Sequence, residues 1–435
     1  MVKSIDREWK HRYNIRIVTT LLYRDEDAER CSEVKQWNIY TPDGMQDILF
    51  ERCYAKRNLE NRIRALFLQN GYREIETPTV EFYDVFSGEQ SLIPQEHMFK
   101  FTDQQGRILV LKPDMTIPIA RVAATKIKDN LWPVRCCYIG NTFSFNELGG
   151  GKQKEFTQAG IEILGIQSPE ADAELIALAI QSLQLAGIED FQIDIGQVDF
   201  FKGLMEESGM SPLETEEVRE LIDTKDFVGV ERLVISRRIP EELKEIILNL
   251  PKYFGSKELI DELENKNISG KALKALEYLK KVLAILDDWG FGEYVSIDLG
   301  MVQSMNYYTG IVFRGFTYDI GFPVLSGGRY DNLIQRFGRN CPATGFSLGI
   351  NMIIMALERR DKLFGQPTGG CFVLYQPEGR KKAYGILTEL KKKGCIAELD
   401  ISGMDIERAK AYAKNKGMDK ILMVFDDTNT ETIGC

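Results

Sequence analysis

The chain has almost no histidine: only His11 and His97 occur in 435 residues. Catalytic triads and histidine-ligated metal sites are close to excluded, because the side chains that shuttle protons or bind metals near neutral pH are missing. Cysteine does not fill the gap. Eight are present, at 31, 53, 136, 137, 341, 371, 395 and 435. No two form a C-x-x-C pair, so neither a zinc knuckle nor a thioredoxin-type motif is encoded. No apolar run approaches the roughly 20 residues that cross a bilayer. The N-terminus lacks the apolar core of a secretory signal, and Asp25, Glu26, Asp27 and Glu29 argue against a mitochondrial presequence. Positive charge is in deficit, with 55 Lys and Arg against 65 Asp and Glu, a net charge of −10. A general nucleic-acid binder would carry a basic surface. These absences predict a cytoplasmic protein with reduced, mostly buried cysteines, no metal site, no membrane anchor and no nucleic-acid partner.

What is present describes an ordinary globular chain, 44% apolar and 28% charged, long enough for two or three domains. Residues 1–38 mix charges of both signs with a short apolar patch, Ile15 to Leu22, and read as a separate extension. Order begins at the turn signal Tyr40-Thr41-Pro42-Asp43-Gly44. From Asp47 to Asn70 apolar positions recur at helical spacing, and Gly71 is a natural stop. Tyr72 to Thr77 reads as a strand ended by Pro78. Met98–Phe101 and Ile108–Leu111 read as paired strands, and a helix starts near Thr116, with Asp114 or Thr116 as its cap.

The most informative stretch is Arg135 to Gly165. Two apolar runs flank a polar loop containing Gly149 to Gly151, which predicts a long-looped hairpin. Glu162 stands among apolar residues of the second strand and requires a partner. Pro169 to Leu185 reads as a helix and Phe191 to Ile195 as a strand. From Asp199 to Gly290 the chain is Glu-, Lys- and Leu-rich with helical periodicity. Strands resume at Tyr294. The tail from Cys371 alternates strand and helix as βαβαβ, the pattern of a small parallel α/β domain.

Four blocks stand in order: GYREIETP at 71–78, the 135–165 hairpin, YYTG at 307–310, and GGRYD with GFSLGI at 327–331 and 345–350. Together they resemble the core of class II aminoacyl-tRNA synthetases, specifically the histidyl family, over about residues 40 to 360. The resemblance implies an α+β fold: an antiparallel sheet flanked by helices (39–198 and 291–365), a helical insert (199–290) and a short C-terminal α/β domain (371–435). It also implies a dimer with the helix before Gly71 and the strand to Pro78 at its interface.

The family's adenylation chemistry depends on arginines, because a fixed fork of charge stabilises the α-phosphate in the transition state. At the matching positions this chain has Ser144, Gln303 and Met352. Each lost contact would cost roughly 3–4 kcal/mol, so no catalytic residue is assigned. The amino-acid pocket is better kept. The resemblance implies a histidine site formed by Asp114, Thr116, Gln158, Glu162, Tyr307, Tyr308 and Tyr330. A histidyl core without these arginines resembles the regulatory subunits of ATP phosphoribosyltransferase. That family implies a short catalytic subunit as partner, activation of it, histidine as feedback effector, a self-dimer within a hetero-oligomer, and no cofactor. Two other readings remain open at this point: an active histidyl-tRNA synthetase, and a synthetase-like amino-acid-sensing module.

Overall fold

In the central strands, successive side chains point to opposite faces, and the sequence divides them by character. Ala159, Ile161 and Ile163 of one strand, Phe346 and Leu348 of another, and Ile193 and Ile195 of a third are all buried in one apolar cluster. Their alternates are Gly160, Glu162, Gly345, Ser347, Asp194 and Gly196. One face is therefore a core wall and the other a polar, glycine-lined trough. Each fully buried Ile, Leu or Phe on the core face contributes about 1.5–3 kcal/mol.

A computed structural model describes residues 39–87, 93–145, 153–235, 237, 239–266, 268–302, 308–318, 320–365 and 369–434. The extension at 1–38 and the glycine-rich hairpin loop at 146–152 lie outside the described residues. Residues 39–47 belong to a unit of their own, with a turn closed by the Met45 N–H on the Pro42 carbonyl at 3.0 Å.

The second unit opens with helix α1 (Phe50–Gln69) and the two-residue strand β1 (Arg73–Glu74). Ala55, Leu59, Ile63 and Phe67 recur every four residues along α1 and are fully buried, forming the stripe that seals the core face. Asn70 closes the helix, and Gly71 follows at φ +83°. Strands β2 (Val80–Phe82), β3 (Lys100–Thr102) and β4 (Ile108–Leu111) form a small sheet in the order β2-β4-β3. Helix α2 (Thr116–Thr125) leads to the hairpin, β5 (Val134–Phe143) and β6 (Glu155–Leu164), ten paired residues in each strand. Helix α3 (Pro169–Ala186) is capped by Ser168, whose hydroxyl accepts the Ala171 N–H at 3.2 Å.

Strand β7 (Phe191–Gln197) is followed by six helices: α4 (Val198–Ser208), α5 (Pro212–Asp223), α6 (Phe227–Ile235), α7 (Glu241–Asn249), α8 (Glu258–Glu264) and α9 (Gly270–Asp288). Between α7 and α8 lie a 3-10 turn (Leu250–Lys252) and the short strand β8 (Phe254–Gly255). Strands β9 (Val295–Asp298), β10 (Ile311–Thr317), β11 (Leu325–Arg329) and β12 (Ala343–Gly349) complete a nine-stranded sheet, β1-β5-β6-β12-β11-β10-β7-β9-β8. The sheet is antiparallel except at β1·β5 and β7·β9. Helix α10 (Ile350–Arg359) returns to the core face.

The tail contains β13 (Cys371–Tyr375), α11 (Arg380–Lys392), β14 (Ala397–Leu399), α12 (Ile406–Asn415), β15 (Lys420–Val424) and β16 (Thr430–Gly434), in the order β14-β13-β15-β16. The first three strands are parallel, as the βαβαβ pattern predicts. One strand is added to that pattern: β16 turns back antiparallel through the Asp426 loop. The turn signal was in the sequence, but TETIG has too few apolar residues to read as a strand. Among the described residues, no helix is long and apolar enough to cross a membrane.

Candidate functional site

The trough is built in register. Pairing across β5, β6, β12 and β11 aligns Tyr138, Gly160, Ser347 and Ser326 in one row. The next row aligns Cys136, Glu162, Gly345 and Gly328. Residues paired across strands share a face, so the hairpin and the two motif strands present one continuous surface.

Glu162 is its centre and is 1% exposed. Thr116, in the first turn of α2, donates its hydroxyl to Oε1 at 2.8 Å, and the Tyr330 hydroxyl donates to Oε2. Burial pushes the carboxyl up to about 8. The Tyr330 and Thr116 bonds oppose that rise by favouring the ionised form, while the nearby Asp114 charge adds to it. A carboxyl titrating there is matched to an imidazole, which titrates at about 6.5.

Asp114 has two roles. Two residues before the first residue of α2, it accepts the Ile117 N–H at 2.8 Å, one of the first-turn donors that has no partner within the helix. Burial, the largest influence, also lifts its carboxyl above the usual range. Tyr308 is half-buried and packs against both apolar clusters. Burial, then the charges of Asp114 and Glu162, push its phenol upward, so the ring stands beside both acids. Thr116, Asp114, Glu162, Tyr308 and Tyr330 are therefore brought together. Gln158 lies four residues before Glu162 on β6, on the same face, opposite Gly140 and Gly349. Its Oε1 is buried with no hydrogen-bond partner among the described residues. Tyr307 lies outside the described residues.

Sequence reasoning missed Tyr138. Its ring lies against Gly160, where a β-carbon would stand 2.5 Å from the phenol oxygen. The hydroxyl, beside Glu162 and Thr116, is buried with no hydrogen-bond partner among the described residues. An unpaired buried polar atom costs about 1–3 kcal/mol, and two such atoms on one wall are what a polar ligand would engage. The alternation of β5 held the signal: Tyr138 is the large polar-tipped residue in register with a glycine.

A second missed feature supports the motif strand. Arg329 of GGRYD is 3% exposed and forks onto Asp172 of α3 at 2.8 and 3.1 Å. It also donates to Asp331 and to the Ile166 carbonyl, both at 3.1 Å. Tyr278 of α9 donates to the same Asp172 at 2.7 Å. A buried ion pair with this many hydrogen bonds fixes geometry, here the placement of Tyr330.

At the positions where synthetases have arginine, Ser144 is buried with its N–H on the Lys154 carbonyl at 2.8 Å. Met352 packs against Gly349. Gln303 lies outside the described residues. The Lys154 ammonium sits 4.4 Å over the Phe145 ring.

The histidyl-tRNA synthetase family profile matches residues 44–353. An ATP phosphoribosyltransferase regulatory subunit from Acetivibrio thermocellus is 60% identical over 396 residues, covering 91% of this chain and 95% of that protein. A protein of the same description from Ruminiclostridium cellulolyticum is 52% identical, over 91% of this chain and 94% of its own. A crystal structure described as an ATP phosphoribosyltransferase regulatory subunit/histidyl-tRNA synthetase from Bacillus halodurans superposes with TM-score 0.80 at 33% identity, over 90% of this chain and 99% of its own. A histidyl-tRNA synthetase from Nostoc sp. PCC 7120 has TM-score 0.77 at 21% identity, over 91% of this chain and 97% of its own, a likeness of fold.

Proposed function

Since this chain belongs to the family of ATP phosphoribosyltransferase regulatory subunits, we propose that it is a non-catalytic subunit that binds histidine in the Glu162 trough. In this reading it activates a separate short catalytic subunit and transmits feedback inhibition at the first step of histidine biosynthesis. The observation behind the proposal is the contrast along one hairpin. β6 keeps a buried carboxyl held by Thr116 and Tyr330, while the end of β5 leads into Ser144 where adenylation requires an arginine.

The chemistry of the trough suits a histidine ligand. A ring N–H would donate to Glu162, whose two oxygens offer more acceptor sites than Thr116 and Tyr330 use. The α-ammonium suits Asp114 and the unpaired Gln158 Oε1. Tyr308 and Tyr138 supply aromatic walls with polar tips. Feedback is allosteric only if histidine binds two states of the complex unequally.

The same reading divides the chain into a core (39–198 and 291–365), a helical insert (199–290) and a C-terminal domain (371–435). It assigns a self-dimer to the β1 edge and α1, supported by the position of β1 at the end of the sheet. The test is phosphoribosyl transfer to ATP by the short catalytic subunit alone, with this chain, and with this chain plus histidine. Stimulation that histidine reverses is expected. Equal rates in all three, or histidine-dependent ATP–pyrophosphate exchange by this chain alone, would overturn the proposal.

A further inference from the structure

The trough as read has acids for an amine and a ring but no cation for a carboxylate. Asp114 and Glu162 face the ligand, and an α-amino acid would bring a third carboxyl group, an ionised one, beside them. Desolvating an unpaired carboxylate is costly, so a donor must come from elsewhere on the face.

Arg314 meets the requirement. It lies in the trough's first row: its cross-strand partner is Ser326, Ser326 pairs with Ser347, and Ser347 pairs with Gly160. The side chain is half-buried. Among the described residues its guanidinium makes no hydrogen bond and no ion pair. Its neighbour on the other side, Asp194, instead accepts from the Ser296 hydroxyl. Asp194 and Asp298 both feel the arginine's charge without pairing to it. The Ser326 and Ser347 hydroxyls also have no hydrogen-bond partner among the described residues.

Arg314 stands three strands from Gly160, about 14 Å at the usual spacing. An arginine arm and a histidine-sized ligand together bridge that gap. The Tyr308 ring lies against Gly328 in the trough's second row, and its phenol is within range of the charges of Asp114, Glu162 and Arg314. Lys112 is the rival cation, but its ammonium is buried against Thr77, donating to the carbonyl at 3.1 Å and to Oγ1 at 3.3 Å. Arginine also forks onto a carboxylate with two parallel N–H bonds, which a lysine does not.

Resting on the proposed reading of the trough as a histidine site, we propose that Arg314, with the Ser326 and Ser347 hydroxyls beside it, receives the carboxylate of the bound α-amino acid. It thereby selects amino acids over amines. No residue on the trough was assigned that task by sequence, because Arg314 belongs to none of the four blocks.

The test titrates histidine and histamine, the same ring and amine without the carboxylate, into the full-length parent, Arg314→Gln and Arg314→Lys. Histidine should lose about 10- to 100-fold in affinity for Arg314→Gln, the range of a charged hydrogen bond. Histamine should bind parent and Arg314→Gln alike, and Arg314→Lys should recover part of the loss for histidine only. Undiminished histidine binding to Arg314→Gln, or an equal loss for both ligands, would overturn the inference and leave the histidine site standing. A parent chain that binds no histidine would overturn the histidine site, and this inference with it.

Discussion

Gly345 and Glu162 are cross-strand partners on the trough face, and a β-carbon on Gly345 would stand 1.5 Å from the Glu162 carboxylate oxygen. The carboxyl lies folded over the glycine, which lets Tyr330 and Thr116 reach its two oxygens. Gly345 of GFSLGI is thus part of the acid's geometry, while Gly328 of GGRYD makes room for the Tyr308 ring.

Gly345→Ala should therefore push Glu162 off its two donors. The expected cost is about 1–3 kcal/mol of stability, as for overpacking elsewhere, with histidine binding weakened at least ~10-fold. Calorimetric titration of the folded variant measures the second effect. Parent-like affinity would mean that Glu162's placement does not govern the ligand.

The buried carboxyl also sets a pH dependence. Its folded value, about 8, lies above the unfolded value near 4.3, so between those limits the folded state holds the extra proton. Its contribution is fully present below ~4.3 and is lost as pH rises through about 8. Glu162→Gln removes the titration. The melting temperature of the parent, relative to that variant, should fall by on the order of a few °C from pH 5 to pH 8.5. Parallel profiles for the two proteins would show that Glu162 is ionised in the folded state throughout.

The Arg329–Asp172 pair is structural. Asp172→Asn removes the forked counter-charge of a buried guanidinium, leaving it Asp331, and should cost about 3–5 kcal/mol in denaturant unfolding. Tyr278→Phe removes one hydrogen bond and should cost about 1 kcal/mol. If Asp172→Asn were as mild as Tyr278→Phe, the guanidinium must have found another partner.

The fold was legible in the sequence because its signals are local and periodic. The α1 stripe and the alternation of β6 each lie within one element, and the βαβαβ tail within one short run of elements. The candidate site was legible only through the family resemblance, which names Thr116, Glu162 and Tyr330 but not what joins them. Glu162 and Tyr330 are 168 residues apart, and no spacing rule connects them. Asp172 was hidden for the same reason: an acid in the first turn of a helix is what the helix dipole favours anyway, so nothing marked it as the partner of Arg329. Tyr138 passed for a core tyrosine, the commoner fate of that residue in a strand.

Tyr330→Phe separates the hydrogen bond from the ring. The phenylalanine keeps the aromatic wall and removes the O–H that the ionised Glu162 accepts. A bond to the charged form lowers a carboxyl's pKa, so its loss should move Glu162 upward from about 8. Two consequences can be measured together. The pH at which the parent-type stability loss is complete should shift upward in the melting profile, with Tyr330→Phe, Glu162→Gln as the flat reference. Histidine binding at neutral pH should weaken by about 3- to 10-fold, the scale of one net hydrogen bond, and recover as pH rises and Glu162 ionises. Loss of affinity that is independent of pH would assign Tyr330 to direct contact with the ligand and not to tuning the acid.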